Sequence, residues 1–173
     1  KTADDERLMA ALALALVDKP RATLQELAKA VGVSKATLYR FCKTREELIA
    51  RLMAHGAQLM RRALSYVRSF NGVIAQHSQD TQLAGPNACC HESEWSGRLG
   101  LPGWPSQAES IIVARDVQLA ELTDSRVHVC HVSTAESVDI IRWAKKRGIK
   151  VTAEATPHHL LLDTPLLASY DTT

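Results

Sequence analysis

No run of apolar residues in this chain of 173 reaches the ~18 that a membrane span needs, so no bilayer crossing is expected. Lys1 to Arg7 is too charged for the apolar stretch of a secretory signal, and the expected location is the cytoplasm. The four cysteines, Cys42, Cys89, Cys90 and Cys130, lack any Cys-x-x-Cys spacing, which argues against a disulfide framework and against a zinc finger. Internal repeats and low-complexity tracts are also missing. What is present is ordinary globular composition. Hydrophobic residues make up 46% and charged residues 23%, which excludes collagen, intrinsic disorder and coiled coil as readings of the whole chain. The length suits one ordinary domain or two small ones.

Glycine and proline are scarce at the start: residues 1–62 hold two of the eight glycines and one of the six prolines. Charge is uneven in the same way. The first 62 residues carry 12 Lys and Arg against 7 Asp and Glu, a net of +5, and the remainder carries 9 against 12, a net of −3. This shift predicts two modules, 1–60 and 61–173, the basic one suited to a polyanion.

Behind the acidic turn Asp4, Asp5, Glu6, an apolar stripe of Leu8, Leu12, Ala15 and Leu16 predicts a first helix, stopped by Pro20. Thr23 with Glu26 has capping-box spacing, and Gly32 suits a left-handed helix end. Ser34 can cap a third short helix, and Thr44 with Glu47 opens a long one. Two short helices about a glycine turn make a helix-turn-helix, and residues 21–44 carry a net charge of +4, from five basic residues and one acid. The plainer reading is a helical bundle with a solvated basic face. Thr23 to Leu48 (TLQELAKAVGVSKATLYRFCKTREEL) resembles the DNA-binding domain of TetR-family transcriptional regulators, a resemblance covering residues 4–58. It implies that Ser34, Lys35, Ala36 and Thr37 face base edges or nearby phosphates of double-stranded DNA, with Tyr39 and Lys43 gripping the backbone. Such binding normally uses paired half-sites, which makes a homodimer one candidate assembly, and without the family's own dimerisation helices the chain is expected to be a weak binder. Phe41 and Cys42 are expected in the core.

From Asn71 onward β-rich runs alternate with helices. Val73 to Ala75 lead to His77, Val127 to Val132 is strand-like, and Val151 to Ala155 is a third strand. Ser106 with Glu109 and Ser133 with Glu136 read as capping boxes of the intervening helices. Strands separated by capped helices predict parallel β/α units with reactive groups at the strands' carboxyl ends. His77, His131 and the pair His158, His159 fall there, and neutral imidazole suits zinc. His128 shares the strand parity of Cys130 and opposes that of His131. Cys89 and Cys90, beside His91 and Glu92, are expected in an exposed loop.

The segments IAQHSQD (74–80), GLPGWPSQAESIIVARDVQLAE (100–121), RVHVCHVSTAESVDIIRWAKKRGI (126–149) and VTAEATPHHLLL (151–162) are similar to the middle of a long, bacterial-type dihydroorotase. That family belongs to the amidohydrolases, binuclear zinc enzymes on an (α/β)₈ barrel that interconvert dihydroorotate and N-carbamoyl-aspartate in pyrimidine synthesis. The resemblance implies that His77 and His131 ligate one zinc. It also implies an early His-x-His pair, a bridging carboxylate and a late catalytic aspartate, which have no counterpart in this chain, so no catalytic residue is assigned. The expected fold is mixed: an all-α helix-turn-helix domain followed by a partial parallel α/β segment of TIM-barrel type. Sequence-specific DNA binding is the leading functional reading, dihydroorotase chemistry the second, and a plain α/β scaffold the third.

Overall fold

The computed structural model describes residues 3–19, 21–85 and 87–168; Pro20, the expected stop of the first helix, lies outside them. The chain forms two compact units, Lys1–Leu59 and Met60–Thr173.

The first unit is helical, with α1 (Ala3–Asp18), α2 (Leu24–Ala30), α3 (Lys35–Phe41) and the opening of α4 (Arg45–Arg68). Thr23 caps α2 reciprocally: its hydroxyl accepts the Glu26 amide at 3.3 Å, and the Glu26 carboxylate accepts the Thr23 amide at 2.8 Å. Gly32 follows with φ +73°, a conformation in which a side chain would be strained. The expected box at Thr44 is displaced by one residue. Its hydroxyl does accept the Glu47 amide at 3.1 Å, but the Glu47 carboxylate reaches the Lys43 amide at 2.8 Å. Leu12, Leu16, Leu24, Leu27, Leu38, Cys42 and Leu48 form the core, against which Phe41 packs. Leu27 and Leu38 are fully buried, so truncating either to alanine costs about 2 to 5 kcal/mol.

The second unit contains the end of α4, then β1 (Val73–Gln76), α5 (Thr81–Ala84), β2 (Cys90–His91), α6 (Glu94–Leu99), β3 (Gly103–Trp104) and α7 (Gln107–Thr123). These are followed by β4 (Arg126–Val129), α8 (Ala135–Lys146), β5 (Val151–Ala153), α9 (Pro157–Leu161) and a 3₁₀ turn at Thr164–Leu167. Strands β1, β4 and β5 form one parallel sheet in that order, with Ala75 opposite His128 and His128 opposite Thr152. On one face Val127, Val129 and Val151 are buried with Val113, Val117 and Ala120 of α7, Ile141 and Ala144 of α8, and Met60 and Leu64 of α4. Because side chains alternate along a strand, Ala75, His128 and Thr152 lie on the other face. Ala75 and Thr152 are exposed and His128 is half-buried, so that face is open.

Two expected caps are replaced. Ser106 makes no capping hydrogen bond, and Thr134 rather than Ser133 caps α8 by accepting the Ser137 amide at 3.3 Å. Strands β2 and β3, at two residues each, are too short for an alternating pattern to announce them. The expected exposed loop is half right, since Cys89 is exposed while Cys90 is buried. Glycine at 103 lets the two segments meet, because a Cβ there would lie 2.6 Å from the Glu92 Cα. Among the described residues, no helix is long and apolar enough to cross a membrane.

Candidate metal centre

The β1–β4 ladder runs one step past the strands: the Cys130 amide donates to the Gln76 carbonyl at 3.0 Å, bringing the two strand ends level. Continued extended geometry would send the side chain of His131 away from the face of His128 and Cys130. The chain leaves that geometry at His131, whose φ is +38°. A residue with a Cβ pays roughly 1 kcal/mol or more there. The outcome is that His77 Nδ1 lies 2.6 Å from His131 Nε2, with ring centroids 4.8 Å apart and planes inclined by 40°. One ring nitrogen donates and the other accepts. His77 is exposed and His131 half-buried, so the pair is open to solvent.

The backbone after His131 is held from two sides. From α7, Glu109 Oε2 accepts the Ser133 amide at 3.0 Å and its hydroxyl at 2.6 Å, while Oε1 accepts the Thr134 amide at 3.1 Å and its hydroxyl at 2.8 Å. From beyond β5, the Glu154 carbonyl accepts the Val132 amide at 2.8 Å. Burial pushes the Glu109 carboxyl up, but hydrogen bonds from the Ser133, Ser137 and Thr134 side chains and the Ser133 amide outweigh it and hold the group below its ordinary value. Sequence reasoning assigned Glu109 to a cap on Ser106. Ser-x-x-Glu spacing is the same whether the acid turns back to its own helix or across to a neighbouring loop.

A tetrahedral centre with metal–nitrogen bonds of about 2.1 Å places two ligand nitrogens roughly 3.4 Å apart. The His77–His131 pair, at 2.6 Å, has to open by less than ~1 Å, so the two imidazoles fit a shared metal as two of its ligands. His158 and His159 sit exposed on α9, and neither joins a cluster of three donors among the described residues. Asp80 is spent as a cap, its Oδ1 accepting the amides of Gln82 at 2.9 Å and Leu83 at 3.2 Å.

In the helical unit, Ser34 and Thr37 are occupied by α3 itself: the Ser34 hydroxyl accepts the Thr37 amide at 3.0 Å and pairs with the Thr37 hydroxyl at 2.8 Å. Lys35 Nζ reaches Gln25 Oε1 at 3.5 Å and lies 5.5 Å from the Tyr39 ring centre. Ala36 and Lys43 are exposed.

Comparison with known proteins settles which module defines the chain. The family model described as "Dihydro-orotase-like" matches residues 24–137. The chain is 63% identical over 113 residues to the dihydroorotase of Leifsonia xyli subsp. xyli, covering 65% of this chain and 26% of that protein. It is 59% identical over 117 residues to the dihydroorotase of Streptomyces coelicolor, covering 68% and 27%. The chain therefore spans about a quarter of the length of the curated relatives it matches. Among solved structures, D-hydantoinase from Bacillus sp. AR9 superposes with a TM-score of 0.53 at 21% identity, over 65% of this chain and 25% of that one. Dihydropyrimidinase from Brevibacillus agri NCHU1002 gives 0.51 at 24%, over 65% and 25%. These two likenesses concern the fold.

The match overturns the leading sequence reading. It runs through α2 and α3, so neither the TetR-type regulator nor double-stranded DNA as partner of Ser34, Lys35, Ala36, Thr37, Tyr39 and Lys43 stands, and the reason for considering a homodimer goes with them. Capped short helices about a glycine turn are a general packing solution, and the bonds just described account for Ser34, Thr37 and Lys35 without a nucleic acid. Since the matched segment takes in more than half of the residues and includes both His77 and His131, the chain belongs to the dihydroorotase-like family.

Proposed function

We propose that the second unit is the part of a dihydroorotase that supplies two imidazole ligands, His77 and His131, to a zinc ion, and that the whole protein interconverts dihydroorotate and N-carbamoyl-aspartate. The observation that carries this reading is the convergence of His77 Nδ1 and His131 Nε2 at 2.6 Å beyond adjacent parallel strands. When bound, zinc supplies an activated water and a polarised amide carbonyl. The chain's own residues hold and orient: the αL turn at His131 aims its ring at His77, and Glu109 fixes the following loop. The sequence has no His-x-His pair, so these 173 residues alone are expected to give no turnover.

Imidazole NMR of the full chain during zinc addition tests the ligand assignment. The His77 and His131 ring signals should move together, and His131→Ala should abolish the response of His77. A His77 response that survives His131→Ala would overturn the shared site. Dihydroorotate turnover by this chain that persists in His131→Ala would overturn the account of the chemistry.

A further inference from the structure

Cys89 and Cys90 are neighbours in sequence and unlike in setting: Cys89 is exposed, while Cys90, the first residue of β2, is buried. The backbone on either side of the pair is clamped to β3. The Cys89 amide donates to the Pro102 carbonyl at 3.0 Å, and the Glu92 amide donates to the Trp104 carbonyl at 2.8 Å. Cys90 stands opposite Gly103, which sets no side chain against it. The Cys89 thiol donates to the Pro102 carbonyl at 3.6 Å, which holds the outer sulfur near the ladder.

The two thiols act on one another. Burial is the main cause that pushes the Cys90 thiol up, and the charge and hydrogen bond of the Cys89 side chain push it further. A hydrogen bond needs proximity, so the two sulfurs lie side by side. A direct bond between them nevertheless suits this backbone badly. Neighbouring Cα atoms across a trans peptide are about 3.8 Å apart, against roughly 4.4 to 6.8 Å in ordinary disulfides, so closing one would strain a segment already clamped on both sides. A larger soft atom set between the sulfurs lengthens the bridge and removes that demand, and sulfur is the donor that soft centres prefer. The other two cysteines offer no such pair: Cys42 is buried, its thiol donating to the Leu38 carbonyl at 3.7 Å, and Cys130 stands beyond β4.

We infer that Cys89 and Cys90 form a vicinal dithiol site for trivalent arsenicals on the β2–β3 ladder, separate from the His77–His131 pair. With an organic arsenic(III) oxide, R–As=O, two arsenic–sulfur bonds form and the arsenic–oxygen double bond breaks. Both thiol protons leave with that oxygen as water; arsenic stays trivalent, so neither oxidant nor reductant takes part. The exposed Cys89 sulfur bonds first. The second bond, to Cys90, is then intramolecular, and its high effective concentration multiplies the affinity. The inference does not rest on dihydroorotase activity, since neither the thiols nor the test involves His77 or His131.

Phenylarsine oxide added to the reduced full chain, with excess 2-mercaptoethanol to strip singly bonded arsenic, tests the site. Trypsin cuts after Lys and Arg, so residues 69–98 carry both cysteines in one peptide. That peptide should gain the mass of one phenylarsine oxide less one water, and 2,3-dimercaptopropanol should remove the addition. In the unmodified chain the arsenical should protect Cys89 and Cys90 together from iodoacetamide. Cys89→Ser, a change at an exposed position, should raise the arsenical concentration needed for half-occupancy by about a hundredfold or more, and Cys130→Ser should leave it unchanged. No adduct on residues 69–98, an adduct formed without loss of water, one that links Cys130, or binding undiminished in Cys89→Ser would each overturn the inference.

Discussion

Glu109 accepts the hydroxyl of Ser133 at 2.6 Å, tying the first turn of α7 to the loop that follows His131. The same carboxylate takes the Ser133 and Thr134 amides, which the short route from β4 into α8 leaves without strand partners. Glu109→Ala should therefore destabilise the second unit by about 2 to 3 kcal/mol, the cost of orphaning donors of a charge-assisted network. Glu109→Gln, which keeps one acceptor oxygen, should cost less. The Glu109 carboxyl is held below its ordinary value in the fold, so its contribution is present above its unfolded-state pKa and is lost as pH falls through the lower folded one. Urea unfolding between neutral and acid pH should show a steeper acid decline in the unmodified protein than in Glu109→Gln. Parallel declines would show that the network is not ionised as described.

The left-handed turn at His131 makes a separate, purely conformational prediction. Alanine there keeps the Cβ that φ +38° penalises, and glycine removes it. His131→Gly should be more stable than His131→Ala by about 1 kcal/mol, although both lose the ring that faces His77. Denaturation midpoints of the two variants at one pH decide it. Alanine equal to or better than glycine would mean that the backbone at 131 relaxes to an extended form once the imidazole is gone.

Much of the second unit was legible because its signals are local. Val73 to Ala75, Val127 to Val132 and Val151 to Ala155 announce strands by β-branched residues between helical patterns, although the strands that form, Val73–Gln76, Arg126–Val129 and Val151–Ala153, differ from them at their ends, and parallel order follows from the helices between them. The convergence of His77 and His131 was legible as strand-end placement. Its means was not: strand parity opposes it, and only a positive φ at a non-glycine residue reverses parity. Glu109 was hidden for the opposite reason, since its spacing from Ser106 satisfies a local rule that a non-local partner overrides. The helical unit shows the limit of local rules most plainly. Thr23, Gly32 and Ser34 act on the backbone as their positions suggest, yet backbone form alone did not fix what the module is for.

Asp116, two turns beyond Glu109 on α7, should bend the same pH curve the other way. It is fully buried; Oδ1 accepts Arg115 Nε at 2.8 Å, while Oδ2 has no hydrogen-bond partner among the described residues. Burial pushes its carboxyl up, and the Arg115 guanidinium only partly opposes that. An acid whose pKa is raised by folding holds its proton more tightly in the folded state. Stability therefore falls as pH rises from the unfolded-state value through the folded one, the reverse of the Glu109 effect. Asp116→Asn removes the buried charge with little change of shape, so it should abolish this decline and leave the acid loss due to Glu109 standing alone. The unmodified protein should then lose ground to Asp116→Asn as pH rises through the window, by about 1.4 kcal/mol for each unit by which folding raises the pKa. Urea titrations of the two proteins and of Glu109→Gln at matched pH separate the opposed contributions. A constant difference between the unmodified protein and Asp116→Asn across that range would show that Asp116 does not change its protonation on folding.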